Sequence, residues 1–267
     1  MKIGVCVKIV PDTETRIKIA ADEKRLNMEG VSYIISPYDE FAIEEALQVK
    51  ERAGQGEVVL ISVGDDEAVK VLRNGLAMGA DRAIQVNDPA INPQEPFDVA
   101  RALAEVVRKE GLQLVLFGKQ GVGQDYQQMP ALVAEILQWP LASVVTKMEL
   151  AGDQITATRE IEGGEEIVGA KLPAVVTAQK GLNTPRYASL KGIMAAKKKT
   201  VEAKKLADLG LSPLARASWE IVKLDLDFVV VKAAIERHRG KFNGTGTACS
   251  QRDARLADSL VELAETR

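Results

Sequence analysis

Aromatic side chains are scarce in this chain, at 4% of 267 residues, and histidine occurs once. Proteins that bind strings of bases stack them on aromatic platforms, so this scarcity argues against that class. The single histidine, His238, lies between Arg237 and Arg239 in a charged stretch and reads as a solvated side chain. Cysteine is limited to Cys6 and Cys249, far apart and without C-x-x-C spacing. With one histidine and two separated cysteines, a zinc or haem site is not expected. Charge of one sign is also lacking: 35 Lys and Arg stand against 38 Asp and Glu, leaving a net charge of -3. Nothing global therefore points to nucleic acid or to acidic membranes, and any electrostatic role must be local. No apolar run approaches the ~20 residues that cross a bilayer. Met1-Lys2 leads straight into an apolar strand, so no secretory signal is expected. The expected compartment is the cytoplasm, or the mitochondrial matrix in a eukaryote.

What is abundant is Ala, Val, Leu and Ile, within a total of 46% hydrophobic residues. The first ~185 residues alternate short apolar strands with helices of 3.6 period, the pattern of a largely parallel sheet covered on both faces. Strands are expected at Ile3–Val10, Val58–Val63, Arg82–Val86, Leu114–Gly118, Leu141–Met148 and Pro173–Ala178. Helices are expected to open at Pro37, at Asp65-Asp66-Glu67 and at Phe97-Asp98, with a fourth marked by Leu132, Val133, Ile136 and Leu137. From Lys147 the texture alternates polar and apolar across Gly152-Asp153 and Gly163-Gly164, which reads as antiparallel hairpins. The fold class is α/β, a mostly parallel sheet with helices on both faces, antiparallel hairpins and an extended C-terminal arm. The expected division is a nucleotide-binding domain over 1–199 and an arm over 200–267. The arm ends in a helix from about Asp253 whose Leu256, Leu260 and Leu263 stripe packs on another subunit.

Two stretches carry candidate chemistry. Neither a G-x-x-x-x-G-K-[ST] nor a strand-associated G-x-G-x-x-G is present, and Gly244-Thr245-Gly246 reads as a loop. After the strand ending at Gly118, however, runs Lys119, Gln120, Gly121, Val122, Gly123, Gln124, Asp125, Tyr126, Gln127, Gln128 and Met129. Its glycines allow a close backbone turn at the carboxyl edge of the sheet, where open α/β folds bind ligands. The N–H groups of the following helix favour an anion there. The second stretch is Leu182–Lys199, LNTPRYASLKGIMAAKKK, which sets an apolar Leu190 in a polar loop and closes on three lysines. An exposed apolar anchor beside a lysine run suits a docking loop, with weak contacts around one filled pocket and charges that steer encounter.

Asn183, Pro185, Arg186, Tyr187, Ala188, Ser189, Leu190, Ile193, Met194, Ala196, Lys197, Lys198 and Lys199 together resemble the N-x-P-R-Y-A-[ST]-L-x-x-I-M-x-A-K-K-K segment of electron-transfer flavoprotein beta subunits. That resemblance extends over roughly Met1 to Leu211. It implies a heterodimer with an alpha subunit that carries electrons from flavin dehydrogenases, notably the acyl-CoA dehydrogenases of fatty acid oxidation, to a membrane quinone oxidoreductase. It also implies no substrate-converting site in this chain. The matching positions for AMP are Cys6, the Ser36-Pro37-Tyr38-Asp39 turn, Val63 and the Gly118–Met129 loop. FAD is implied mainly on the alpha subunit, with Tyr38 near its ring. Glu160 matches a glutamate that influences how the flavin domain sits, and Arg186, Tyr187, Leu190, Ile193, Met194 and Lys197–Lys199 match the partner-docking segment. The chain departs from the family at Ser36, where Asn is usual, at Gly123 and Gln124, where an acidic pair is common, at Met129 and at Thr13. A bifurcating branch holds a second FAD in place of AMP and carries F-A-G-x-D-T-x-A-T, which Asn87–Ala100 lacks.

Two other classes are weighed. An ATP-dependent carboxylate-activating enzyme would carry S-G-G-x-D-S after the first strand, where Val7-Lys8-Ile9-Val10-Pro11-Asp12 stands instead. A stand-alone nucleotide-binding stress protein has no use for the lysine-tipped loop.

Overall fold

The computed structural model describes residues 1–214 and 221–224. His238, Cys249, Gly244-Thr245-Gly246 and the helix expected from about Asp253 lie outside the described residues. Two compact units are present. The smaller contains Ile17–Asn27 and residues 221–224, where Ile19 bridges Leu26 and the Leu224 N–H donates to the Glu23 carbonyl at 2.7 Å.

The larger unit runs β1 (Lys2–Cys6), β2 (Ile9–Pro11), β3 (Tyr33–Ile35), α1 (Pro37–Ala53), β4 (Glu57–Val63), α2 (Glu67–Met78), β5 (Arg82–Val86) and α3 (Pro96–Glu110). It continues through β6 (Leu114–Gly118), α4 (Met129–Leu137), β7 (Leu141–Ala151), β8 (Gln154–Ile161), β9 (Gly164–Lys171), β10 (Ala174–Ala178), α5 (Leu190–Ala196), β11 (Val201–Lys204) and α6 (Leu206–Leu209). Nine strands form one sheet in the order β11-β5-β4-β1-β6-β10-β7-β8-β9. Pairing is parallel from β11 to β7 and antiparallel through β7, β8 and β9. The expected α/β class is the one observed.

Strand alternation sorts the core into two layers. Ile3 and Val5 of β1 with Val58 and Leu60 of β4 pack against Ile43 and Leu47 of α1 and Leu72 and Leu76 of α2. Val59 and Ile61 of the same β4 turn the other way, towards Leu103 and Val107 of α3 and Val133 and Leu137 of α4. Burying each of these aliphatic side chains contributes about 1.5–3 kcal/mol. The helices begin where the sequence punctuates them: Pro37 and Pro96 stand in the first turns of α1 and α3, and left-handed Gly54 and Gly111 end them.

Several elements differ from the sequence expectation. The first apolar run is not one strand over Ile3–Val10: β1 stops at Cys6, and β2 pairs antiparallel with β3 in a separate two-stranded sheet. The physical cause is a side chain taking a ladder position, because the Lys8 N–H donates to Asp39 Oδ2 at 2.7 Å. The second hairpin turns on Glu162-Gly163, with Gly163 at φ 80° and Gly164 already in β9. Residues 190–196 are helical where a loop was expected, since Ser189 caps α5 by accepting the Gly192 N–H at 3.0 Å. After Lys199 the chain is not loosely patterned at first: β11 pairs parallel with β5.

Candidate functional site

In the sheet order β1 is flanked by β4 on one side and β6 on the other, so β4 and β5 extend the sheet one way from β1 and β6 extends it the other way. Ligands of open α/β sheets bind at the carboxyl ends of the strands beside such a switch. A cavity of about 710 Å³ opens there. Its floor is apolar, with Cys6, Ile61, Val63, Val86, Leu103 and Phe117, and its mouth carries Lys8, Asp39, Lys119, Gln124 and Asp125.

Asp39, in the first turn of α1, ties three elements together. One oxygen accepts the Lys8 N–H and the other accepts the Gly118 N–H at 2.9 Å, so α1, β6 and the exit of β1 meet on a single carboxyl. Burial pushes this carboxyl up to about 7, against the pull of those two donors and of Lys8. Gly118 has to be glycine, because a Cβ would strike the Asp39 carboxyl and the Tyr38 backbone. Burial lowers the Lys8 ammonium, with Asp39 and Asp125 opposing. Its Nζ donates to Gln124 Oε1 at 2.6 Å. Gly121 leaves room for this, since a Cβ there would collide with the Lys8 side chain. Burial, then Asp39, raises the Cys6 thiol well above its usual value, so it is an inert wall residue rather than a nucleophile.

The glycine-rich segment folds back on itself over the cavity mouth. Gln120 Nε2 donates to Asp125 Oδ1 at 2.6 Å, and Gln127 Nε2 donates to Gln120 Oε1 at 2.8 Å. Asp125 and Gln127 both adopt left-handed backbone, at φ 52° and 53°, with Gly123 at 90° between β6 and α4. Of the sequence candidates, the structure brings Cys6, Asp39, Val63, Gly118, Lys119, Gln120, Gly121, Gln124, Asp125, Tyr126, Gln127, Gln128 and Met129 to the cavity wall. Ser36, Pro37, Tyr38, Val122 and Gly123 are not part of that wall. Ser36 is buried and its Oγ donates to the Gln120 carbonyl at 3.4 Å, while Lys119 Nζ lies 5.8 Å from the Tyr38 ring centre. Lys8, Tyr33, Asp65 and the Asn87–Gln94 segment also line the cavity and were missed. The signal for Lys8 and for Asn87–Gln94 was their place just beyond the carboxyl ends of β1 and β5.

The docking candidates divide sharply. Tyr187 is 98% exposed, Leu190 79% and Met194 65%, with Ile193 also exposed. Lys197 and Lys198 are exposed, but Lys199 turns inward, its Nζ donating to the Leu76 carbonyl at 3.0 Å and the Ala80 carbonyl at 2.5 Å. Arg186 is bound to Glu44 and Glu51 of α1. Glu160 is exposed on β8 and accepts from Gln179 Nε2 at 3.0 Å, close to the root of the docking segment. Among the described residues no His, Cys, Asp or Glu cluster could hold a metal ion, and no helix is long and apolar enough to cross a membrane.

Fold and cavity thus define an α/β protein with a mostly parallel sheet, a crevice at its switch point and a separate exposed apolar ridge. The family model for the electron transfer flavoprotein domain matches residues 25–209. The chain is 42% identical over 216 residues to the electron transfer flavoprotein subunit beta of Sus scrofa, covering 80% of this chain and 85% of that protein. The corresponding subunits of Bradyrhizobium diazoefficiens and Bacillus subtilis are 41% and 39% identical, over 81% and 79% of this chain and 86% and 81% of theirs. The chain belongs to the electron transfer flavoprotein family, among its beta subunits.

Proposed function

We propose that this chain is one half of a heterodimeric electron carrier that serves flavin dehydrogenases, with an AMP in the switch-point crevice and a docking segment over residues 182–199. The alpha subunit holds the FAD, with Tyr38 of this chain near its ring. Electrons arrive from dehydrogenases such as those acting on acyl-CoA in fatty acid oxidation and leave to a membrane quinone oxidoreductase. This chain converts no substrate itself, and the site contains no paired nucleophile and base among the described residues. The carrier works in the cytoplasm or the mitochondrial matrix. The nucleotide and docking domain runs past residue 199 to take in β11 and α6, a reading supported by the pairing of β11 with β5, and the C-terminal residues beyond them form the arm that packs on the alpha subunit.

The observation that carries this reading is the ridge of Tyr187, Leu190 and Met194, apolar side chains held in solvent on an ordered segment. Soluble proteins seldom display such a cluster unless a partner covers it. The crevice fits a mononucleotide on three counts. Its volume falls within the range of about 300–1,000 Å³ of small-molecule sites. Its apolar floor suits a flat base. Lys8, Lys119 and the turn into α4 supply positive ends for a phosphate. The Gly121 backbone and the Gln124 and Gln128 amides would hold it.

Two measurements on the purified heterodimer test the proposal. Denaturation should release about one AMP and one FAD per complex, whereas two FAD would assign the bifurcating branch. Leu190→Ala should slow electron transfer from a reduced dehydrogenase by about tenfold, the loss of one anchor worth ~1.4 kcal/mol, with the flavin spectrum unchanged. Unaltered kinetics would remove the docking role.

A further inference from the structure

The docking segment is fastened at both ends to the helices beneath it. At the near end Asn183 Nδ2 donates to the Phe41 carbonyl at 3.0 Å and to Glu45 Oε2 at 3.2 Å. Arg186 donates from its backbone N–H and Nε to Glu44 Oε2 at 3.2 and 2.8 Å, and from Nη2 to Glu44 Oε1 at 3.0 Å. The same guanidinium reaches Glu51 Oε1 from Nη1 at 2.6 Å and Glu51 Oε2 from Nη2 at 3.1 Å. Four of the five N–H donors of this fork are directed at α1, which leaves a single Nη1 N–H to offer a partner. Glu44 is a buried carboxylate, and hydrogen bonds from Arg186 and Gln48 outweigh its burial and keep it charged.

At the far end two helices exchange cations at their carbonyl termini, where the helix dipole favours positive charge. Lys199 of the docking segment caps the end of α2 through Leu76 and Ala80, while Arg73 of α2 donates to the Ala196 and Lys199 carbonyls at the end of α5, at 2.6 and 3.0 Å. Between the two mounts Gly192 lies against α2, where a Cβ would run into the Ala77 carbonyl, and Ala196 is buried. Tyr187, Leu190 and Met194 are the most exposed large apolar side chains of the segment.

Resting on the docking role proposed above, we infer that Arg186 and Lys199 are positioning residues, which hold Leu190 in its partner-ready place and touch α1 and α2 instead of the partner. A loose segment would have to be ordered at each encounter, at the expense of the backbone entropy of every residue fixed. A segment already fixed leaves more of the anchor's contact energy for affinity. A carrier with one small anchor therefore gains most from a stiff mount.

The test uses the intact heterodimer and a reduced flavin dehydrogenase as titrant. Arg186→Lys keeps the charge but cannot span both carboxylates. It should raise KM for the dehydrogenase at least fivefold while changing kcat less than twofold, and should increase amide hydrogen exchange over residues 187–194. Glu51→Gln, at the exposed edge of the clamp, should give a smaller shift of the same kind without uncovering a buried charge. In a Leu190→Ala background Arg186→Lys should add little, because a mount acts only through the tip it places. If both clamp variants leave KM and exchange at wild-type values while Leu190→Ala raises KM, the mount is refuted and the docking reading stands. Additive effects of Arg186→Lys and Leu190→Ala would likewise refute it, making Arg186 a direct contact. If Leu190→Ala itself is silent, the docking reading falls, and the positioning role with it.

Discussion

Asp39 and Lys8 adjoin on the crevice wall and respond to pH and charge in different ways. A buried carboxyl whose folded pKa is raised to about 7, from about 3.9 when unfolded, makes the folded state retain a proton that the unfolded chain has released. Its stabilising contribution is complete below about pH 4 and is lost as pH rises through 7. Subtracting the unfolding free energy of an Asp39→Asn complex from that of the wild type should therefore give a difference that falls with pH, at up to ~1.4 kcal/mol per unit between about pH 5 and 6.5. A flat difference would show that Asp39 stays ionised, held by the Lys8 and Gly118 donors. Lys8 is one of two cations on the cavity wall among the described residues, set against Asp39, Asp65, Asp88 and Asp125. An anionic ligand must sit at the cationic side, so Lys8→Met should lower AMP retained after gel filtration, by about tenfold in affinity for one charge-assisted contact of ~1.5 kcal/mol. Lys8→Arg should restore part of it. Mass measurement of the released nucleotide reads this directly, without any assay of electron transfer.

At the scale of elements, the packing of α2 against α5 decides whether the docking segment is a helix or a strap. Gly192 is the contact point. Gly192→Ala places a methyl against the Ala77 carbonyl, where neither backbone can yield without disturbing the Arg73 and Lys199 caps. Overpacking of this kind costs about 1–3 kcal/mol. The expected result is a lower melting temperature, with hydrogen exchange increased selectively over α5 and the end of α2. A uniform, unchanged profile would mean that the two helices part easily. The hairpin region obeys a different logic. β7 is one continuous strand over Leu141–Ala151, parallel to β10 at its start and antiparallel to β8 further on. It thereby carries β8 and β9 out beyond the helix-covered part of the sheet, and Glu160 with them.

For the whole molecule, near balance of charge hides a local division of labour among three adjacent lysines. Lys197 and Lys198 are exposed, whereas burial lowers the Lys199 ammonium and its donors are committed to α2. Exposed charges act over a Debye length of about 8 Å at physiological salt, so only the first two can steer a distant partner. Replacing Lys197 and Lys198 by Gln should flatten the salt dependence of the association rate with a reduced dehydrogenase and leave the melting temperature unchanged. Lys199→Met should do the reverse, lowering stability by about 1–3 kcal/mol through the carbonyls left unpaired at the end of α2.

Much of this was legible in the chain. Apolar strands between 3.6-period helices specify a covered parallel sheet, because each alternation demands its own buried face. Helix starts were marked by Pro37 and by Phe97-Asp98, and the candidate docking residues by their order alone. The carboxyl-edge loop from Gly118 to Met129 could be read as a candidate site, for strand-end loops are where backbone N–H groups are free, and most of it lines the cavity. The break after Cys6, the helix at Leu190–Ala196 and the pairing of β11 with β5 could not be read in this way. Each depends on a group distant in sequence: the Asp39 carboxyl that replaces a ladder partner, the Ala77 turn that accepts Gly192, and the exposed edge of β5.

The same holds for roles. By itself the sequence determined which residues could be buried, which could bind a nucleotide edge and which could greet a partner, since these follow from side-chain chemistry and period. Only the tertiary structure decided that Arg186 and Lys199 look inward while Tyr187 and Leu190 look out. A cation shows its use only once the carbonyls and carboxylates within 3 Å of it are known.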